Sequence, residues 1–501
     1  MGRIPFFLFL LIGFFTPTPP SFSRGVDSDH LPSPVIRNIH IHGNTRTRTG
    51  IIRREFLFSA GDSLDVALLA ETERNLRRLL FLGQVVVRPL QHQDGVDIHV
   101  QVQDLYARAL SPQISGKPGE LSYALVALDY NFLGRAQVAR LTLDHRAIEG
   151  NGATLDYQIP RLFNGNHNLT TRLGWGEETH RAEWSISHPF HTLSSPHSYG
   201  LSLYSQKDVQ RLYSDQLLTE RYADRLDGGS FWYTHSLGQS TKFRPTFRLS
   251  ISDRRFTPSS PFIYAPQDRR RVLPSVGFTV WRPRYEKARF IRTLGPIEDI
   301  QTGSWLSTRW GLSLRNLGSD RNFHFFSAQF SPRFKPHPAG YSFATLFLSG
   351  RRDPSGFYHI FSLAEILTYI PLSSLGTLAL RLRADALHRP EDSSQLLLGL
   401  DNGLRGYPPR RFDGSRRFLG NLEYRPIFKT HPLYILAGAL FAEGGAVWNP
   451  PHTSPALNLA IGLGGRVGLP QVYDTPVLRA DLAWGLRDRA LQLSFGVGQF
   501  F

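Results

Sequence analysis

Apolar and polar residues alternate along most of the chain after about residue 110. Leu155, Tyr157 and Ile159 are apolar, and Asp156 and Gln158 between them are polar. The same period of two recurs at 168–175, 246–251, 377–383 and 478–484. This period predicts β-strands whose two faces meet different surroundings. About 390 residues of such strands would make an implausibly long sandwich. At roughly 9–11 residues per crossing, they predict an all-β transmembrane barrel of 16 antiparallel strands, and the same count also allows 14 or 18.

The last segment, 491–501, continues the alternation, with Gln499 as its one departure on the apolar side. We predict that this strand closes the barrel and that Phe501 lies in the aromatic girdle at the membrane interface. Gly496 and Gly498 lie on the opposite face, where glycine weakens strand pairing. They predict a weak seam and, with Gln499 and Phe501, form the candidate C-terminal signal. A buried strand of a soluble domain is the alternative.

The first residues have the order of an export signal. Arg3 precedes a short apolar core, Ile4–Phe15, and the stretch Thr16–Ser23 then interrupts it. This core is too short to cross a membrane as a helix. We therefore predict a signal peptide over 1–23, a linker over 24–34, and export to the periplasm or the outer membrane.

Charge and composition narrow the possible partners. The chain has 57 Lys and Arg against 41 Asp and Glu, a net charge of +16, and no cysteine. Because the arginines are spread through the alternating strands, we predict binding to outer-membrane lipids and lipopolysaccharide, and none to nucleic acid. The absence of cysteine excludes disulfides, thiol catalysis and cysteine metal sites.

A small α+β pattern precedes the barrel, over residues 35–104. Its predicted elements are a strand over Val35–Ile41, helices over Gly50–Leu57 and Leu64–Leu82, and strands over 84–90 and 96–102. Gly83 is predicted to end the second helix, and Asp94 and Gly95 to form a tight hairpin turn. This order resembles a single POTRA domain, as do the stretches VIRNIHIHGN and LRRLLFLGQVVV. Another small exported α+β domain is the alternative.

A loop motif and several strands resemble one family of barrels. The motif Leu404-Arg405-Gly406-Tyr407 lies in a region rich in Gly, Pro and Arg, where the alternation stops. Further matches, in family order, are Asp129–Arg135, Leu419–Pro426, Phe441–Trp448, Gly462–Gly468, Leu478–Ala483 and Gly498–Phe501. Together with the POTRA-like unit, they make the chain similar to the BamA/TamA-type outer-membrane assembly superfamily.

The resemblance implies a role for the loop. In that family the loop arginine enters the barrel lumen and pairs with inward acids, which gives Arg405 as the cation and Glu443 as its partner. Asp481 is the second candidate partner. The family more often has Asp at the position of Glu443. Gly406 would allow a tight turn, and Tyr407 would pack against the wall. A solvated loop cation is the alternative for Arg405.

The resemblance also implies a function without covalent chemistry. We expect an outer-membrane assembly or translocation factor whose periplasmic POTRA domain captures unfolded outer-membrane or secreted clients and passes them to a lateral seam of the barrel. Periplasmic or lipoprotein partners are further expectations. A two-partner secretion transporter and a passive pore are alternatives. We predict no catalytic residue, metal or cofactor, because the sequence has no Gly-x-Ser-x-Gly, His-Glu-x-x-His or phosphate-binding glycine motif.

Overall fold

The computed structural model describes residues 34–501 except 164, 296, 373–374, 392–393 and 471–476. The predicted signal peptide and residues 24–33 of the predicted linker lie outside the described residues. Within the described part, no helix has the length and apolar character needed to cross a membrane.

A small α+β domain comes first. Its elements are β1 (Ile36–His42), α1 (Thr49–Arg53), α2 (Val66–Arg77), β2 (Leu82–His92) and β3 (Gly95–Asp104). The sheet order is β1-β3-β2, with β1 parallel and β2 antiparallel to β3. The side chains at its centre are fully buried, including Leu76, Ile98 and Val100. The predicted element order is therefore present.

The second helix is shorter than predicted. It begins after Asp65, whose carboxylate accepts a hydrogen bond from the amide of Ala67 at 2.7 Å, as an N-cap does. The helix ends at Arg77, so the prediction that Gly83 ends it is wrong, and Gly83 lies in β2. The reason is tertiary, because the Phe81 carbonyl accepts a hydrogen bond from the amide of Leu105 and draws this segment toward the sheet.

The remaining strands form a closed barrel and two short hairpins. In chain order they are β4 (Arg108–Lys117), β5 (Glu120–Phe132), β6 (Gln137–Arg146), β7 (Gly150–Leu162), β8 (His167–Gly176), β9 (His180–His188), β10 (His197–Ser214), β11 (Leu217–His235), β12 (Lys242–Pro258), β13 (Arg269–Trp281), β14 (Tyr285–Ala288), β15 (Glu298–Gln301), β16 (Trp305–Ser313), β17 (Phe323–Ser331), β18 (Arg333–Phe334), β19 (Tyr341–Asp353), β20 (Gly356–Pro371), β21 (Thr377–His388), β22 (Leu396–Leu398), β23 (Phe412–Gly414), β24 (Arg416–Arg425), β25 (Ile427–Thr430), β26 (Ile435–Trp448), β27 (Asn458–Gly468), β28 (Leu478–Gly485) and β29 (Ala490–Val497). The hairpins are β14–β15 and β22–β23, and the other strands from β4 onward belong to the barrel.

The barrel has twenty antiparallel strands within the described residues, so the predicted number of 16 is wrong. In this count β17 and β18 are one strand interrupted at Pro332, and β24 and β25 are one strand interrupted at Pro426. Several turns are only two residues long, for example 118–119 and 215–216, so the same length of chain makes more crossings. The predicted fold class, a POTRA-like domain followed by a transmembrane-type antiparallel barrel, is confirmed.

The outer wall carries the apolar half of the alternation. Trp175 and Leu463 each expose 56% of their surface, and Phe247 exposes 43%. Arg405, Glu443 and other charged residues face the lumen and are buried there. An apolar outside and a polar inside are the arrangement of a barrel wall in a bilayer.

The barrel closes through a weak contact between its first and last strands. On one side β29 pairs with β28 at eight positions. On the other side β29 pairs with β4 at a single position, Phe495 with Gly116. We call this β4–β29 contact the seam.

The last residues do not continue the strand. β29 ends at Val497, and Gly498 turns the chain with φ +87°. Phe500 then stacks on Arg405 inside the barrel, and Phe501 packs against the buried cluster that contains Tyr369. The prediction of a girdle position for Phe501 is therefore wrong, because the lumen arginines offer these rings cation–π contacts.

A segment between β13 and β16, residues 282–304, enters the end of the barrel that faces the N-terminal domain. It contains the hairpin β14–β15, and we call it the plug hairpin. Its residues Ile291, Leu294 and Ile300 are buried against inner residues of the barrel wall. Thr377 of β21 donates a hydrogen bond to the carbonyl of Phe290 at 2.8 Å. The plug hairpin therefore fills this end of the lumen.

Candidate functional site

The loop between β21 and β24, residues 389–415, folds into the barrel. A short 3-10 turn, Leu400–Asn402, leads to Gly403, whose φ of +112° reverses the chain. Leu404, Arg405 and Tyr407 follow, and all three are fully buried. The four residues of the predicted motif thus lie inside the lumen, and we call residues 400–411 the lumen loop.

Arg405 binds the acids of the facing wall. Its Nε donates a hydrogen bond to Glu443 Oε1 at 2.7 Å, and its backbone amide donates to Glu443 Oε2 at 2.7 Å. Its Nη1 lies 2.6 Å from Glu423 Oε1 and 3.5 Å from Asp481 Oδ2. Both predicted partners therefore contact Arg405, and Glu423 is a third partner that the sequence analysis missed.

Two aromatic rings cover the guanidinium. The Cζ of Arg405 lies 3.4 Å from the ring centroid of Phe441 and 3.9 Å from that of Phe500. Phe441 belongs to the inner face of β26, and Phe500 follows the last strand. These rings exclude water from the ion pairs, which strengthens their electrostatic attraction.

The charged cluster extends around Arg405. Asp481 lies 2.7 Å from Arg466 and 2.6 Å from Arg479, and Glu423 lies 2.7 Å from Arg425. The four arginines and the carboxylates of Glu423, Glu443 and Asp481 have a formal charge of +1 together. Alternation along β24 was the signal that could have found Glu423, because Asn421, Glu423 and Arg425 share the inward face.

The neighbouring motif residues fit tightly. A Cβ on Gly406 would lie 2.5 Å from the Cβ of Ala460, so a larger residue would displace the lumen loop from the wall. The Tyr407 hydroxyl donates to the carbonyl of Leu459 at 2.9 Å. Leu404 and Tyr407 pack in one apolar cluster with Leu398. The motif is thus fixed by shape as well as by charge.

The lumen loop contacts both sides of the seam. On the side of the last strand, Arg405 stacks on Phe500. On the side of the first strand, Arg410 donates to Glu120 at 2.5 Å and to Asp401 of the lumen loop at 3.1 Å. A polar cavity of about 590 Å³ lies between the lumen loop and the seam. The lumen loop therefore contacts residues beside both strands of the seam, Glu120 at the start of β5 and Phe500 after the end of β29.

The remaining predicted residues lie at or near the seam. A Cβ on Gly496 would lie 2.4 Å from a guanidinium nitrogen of Arg479, so glycine leaves room for that side chain. Gly498 makes the inward turn, and its amide donates to the carbonyl of Val477. Phe501 O accepts from Arg425 Nη2 at 2.9 Å. Within the described residues, the buried Oε1 of Gln499 has no hydrogen-bond partner.

The N-terminal domain is docked, through charged contacts, on the end of the barrel that the plug hairpin fills. Arg77 of α2 makes two hydrogen bonds of 2.8 Å to Asp299 of the plug hairpin. Lys287 donates to Glu73 at 2.7 Å. Arg161 at the end of β7 donates to Glu55 at 2.8 Å. These contacts connect the domain to the plug hairpin and to the wall.

A turn between β9 and β10, residues 189–196, completes the docking. The amide of Leu193 donates to the buried carboxylate of Glu71 at 2.6 Å. Burial in this turn, away from water, and the positive charge of Arg161 lower the pKa of His191 to about 4. His191 is therefore neutral at neutral pH.

Comparisons with known proteins agree with this architecture. The POTRA family model, described as surface antigen variable number repeat, matches residues 34–104. The outer membrane protein assembly factor BamA of Neorickettsia risticii (strain Illinois) is 27% identical over 139 residues, which cover 26% of this chain and 18% of that protein. Less than two thirds of that relative is therefore spanned.

Two solved structures match over most of the chain. BamA from Haemophilus ducreyi lacking POTRA domains 1–3 is 14% identical, with a TM-score of 0.42, and the match covers 93% of this chain and 84% of that one. CdiB from Escherichia coli is 12% identical, with a TM-score of 0.46, and the match covers 93% and 77%.

Proposed function

The chain belongs to the BamA/TamA-type superfamily of outer-membrane proteins and has its POTRA domain in the periplasm, and on this premise we propose that it is a protein assembly or translocation factor. Its clients are unfolded outer-membrane or secreted proteins. It works through binding alone, with no covalent step and no cofactor. Membrane lipids and lipopolysaccharide surround the barrel, and periplasmic or lipoprotein partners belong to the same proposal.

One observation carries the proposal, namely a seam with a single pairing position, beside which the lumen loop contacts Glu120 of β5 and Phe500 after β29. Opening the seam breaks little of the strand pairing and exposes the edge of β4. An extended client can then add its own strand to that edge, because main-chain hydrogen bonds provide affinity for any sequence. A passive pore has no use for such a seam.

The POTRA domain supplies the first contact. Its sheet order leaves β1 and β2 as edge strands. A client segment can pair with an edge strand before it reaches the seam. Docking of α2 on the plug hairpin places the domain at the periplasmic end of the barrel.

The test is to lock the seam covalently. The chain has no native cysteine, so two introduced cysteines are the only thiols. The substitutions are Ile114→Cys and Val497→Cys. Each lies two residues along its strand from the Phe495–Gly116 bridge, at opposite positions in the antiparallel register. We expect the oxidised variant to lose client insertion into liposomes and the reduced variant to keep it.

A matched control places a disulfide between two strands that are already fully paired. Leu482→Cys and Leu493→Cys join β28 to β29, which pair at these positions in the native barrel. This disulfide should leave client insertion unchanged. Equal client insertion by the oxidised and reduced seam variants would contradict lateral transfer and favour a pore or secretion through the lumen.

A further inference from the structure

A second large cavity lies outside the lumen loop and the seam, between the POTRA domain and the barrel. Its volume is about 1000 Å³, the upper end of the range for ligand sites. Apolar side chains from three parts of the molecule line it: Leu80 and Leu105 of the domain, Phe290 and Ile297 of the plug hairpin, and Val477 of the wall. An apolar ligand would find few polar groups to desolvate on these walls.

Arginines surround this apolar interior. Arg78, Arg289 and Arg292 line the cavity and are exposed. Among the described residues, none of the three has a carboxylate within 4.0 Å. The acids nearby are already engaged, because Asp299 binds Arg77 and Glu298 accepts backbone hydrogen bonds from residues 291–293. Five arginines line the cavity against two carboxylates, those of Glu298 and Asp299, so the lining has a net formal charge of +3.

The barrel side of the cavity lies where the wall meets the membrane interface. His431 and Pro432 line it, in the turn between β25 and β26. Leu433 beside them exposes 58% of its surface, and Phe428 of β25 exposes 71%. Exposed apolar residues at the end of a barrel strand mark the lipid-facing band. A lipid of the periplasmic leaflet can reach the cavity from there.

We propose that this cavity binds an anionic phospholipid, with an acyl chain against the apolar walls and the phosphate at Arg78, Arg289 and Arg292. Arginine forms two-pronged hydrogen bonds to phosphate oxygens. Inorganic phosphate would leave the apolar walls unused, and an uncharged lipid would leave the arginines unused. The site joins the POTRA domain, the plug hairpin and the wall, so a bound lipid holds all three together.

The test measures phospholipid binding to the full chain without any client, so it is independent of the proposed assembly function. Native mass spectrometry of the detergent-solubilised protein would be recorded with added phosphatidylglycerol, phosphatidylcholine or inorganic phosphate. We expect retained adducts with phosphatidylglycerol only. A photoactivatable phosphatidylglycerol should label peptides that contain Ile297 or Val477.

The decisive variant removes the rim charges by R78Q, R289Q and R292Q together. Each basic residue near an anionic lipid contributes roughly fivefold in affinity, so we expect the loss of three to weaken binding by about a hundredfold. The control, R37Q, R53Q and R88Q, removes the same number of exposed arginines from the POTRA domain, and none of these three lines the cavity. A second variant, Ile297→Trp, fills the cavity and should also reduce labelling.

Three outcomes would overturn the proposal. They are equal affinity in the rim and control variants, equal retention of phosphatidylcholine and phosphatidylglycerol, and retention of inorganic phosphate alone.

Discussion

The guanidinium of Arg405 lies between the rings of Phe441 and Phe500 and binds carboxylates of three different wall strands. The motif and its neighbours predicted a loop cation with Glu443 and Asp481 as candidate partners, and both lie against it. Glu423 and Phe500 were missed. Which side chains meet across a lumen depends on strand stagger and on the inward turn at Gly498. The alternation of apolar and polar residues predicts neither of them.

Replacing Arg405 by Ala should remove the cation bound to Glu443 and one of the cations bound to Glu423 and Asp481. Removal of one partner of a buried pair typically costs ~3–5 kcal/mol. We expect the barrel to insert but to unfold at a clearly lower temperature in detergent, measured by heat-dependent mobility in gels. Arg411 is the control, because its pairs with Asp488, at 3.2 Å, and with Asp215 are exposed, where each such pair contributes ~0–1 kcal/mol. Equal shifts for Arg411→Ala and Arg405→Ala would contradict a special role of the buried pair.

Glu423→Gln tests the partner that the structure adds. The substitution keeps the shape and raises the formal charge of the cluster from +1 to +2. Because Arg405 and Arg425 both lie within 2.7 Å of this carboxylate, we expect a loss of heat stability of the same order as for Arg405→Ala. A variant as stable as the native protein would show that Glu443 and Asp481 suffice.

At the scale of elements, strand existence was predictable and strand number was not. The period of two identifies a wall strand wherever it occurs, but two-residue turns such as 354–355 leave no gap in the pattern. The plug hairpin was not predicted. The hairpin is buried because it fills one end of the barrel, and that end exists only once the barrel has closed. Residues 282–304 therefore have no periodic pattern that would predict their burial.

His191, in the turn between β9 and β10, predicts that docking of the N-terminal domain depends on pH. The pKa of His191 is about 4 in the folded protein, below its ordinary value of 6.5, so protonation favours the undocked state. The contribution of neutral His191 to the free energy of docking is complete above about pH 6.5 and is lost as the pH falls toward 4. The turn is half-exposed, so the slope should stay below ~1.4 kcal/mol per pH unit.

Hydrogen exchange in α2 would measure this effect. Between pH 6.5 and 5.5, above the usual carboxyl range, the native protein should lose protection as the pH falls. His191→Gln should remove most of that dependence. An identical pH profile for both proteins would exclude His191 as the titrating group.

At the scale of the molecule, the POTRA domain and the barrel form one connected unit. Arg77 binds Asp299, and the plug hairpin that carries Asp299 fills the lumen end. The sequence predicted the two regions and their order. It did not predict that they would share a hairpin, because contacts between distant segments such as 77 and 299 leave no local pattern.

Deletion of residues 35–104 should leave membrane insertion intact and abolish client transfer. It should also change conductance in planar bilayers, because the plug hairpin loses its contacts with Glu73 and Arg77. We expect small, variable currents in the full chain and larger ones after deletion. Asp299→Ala is the control, since it breaks the connection and keeps the domain. A large, steady current that is indifferent to both changes would identify a passive pore.

The single bridge of the seam also bears on how clients are selected. An edge that is almost unpaired offers its hydrogen-bonding groups nearly free, so an incoming strand competes with little of the native ladder. Its affinity then depends on how well its side chains match those of β4. The ten residues of β4, Arg108–Lys117, would then distinguish one client from another by strand register and side-chain shape. The energy needed to open the wall would matter less.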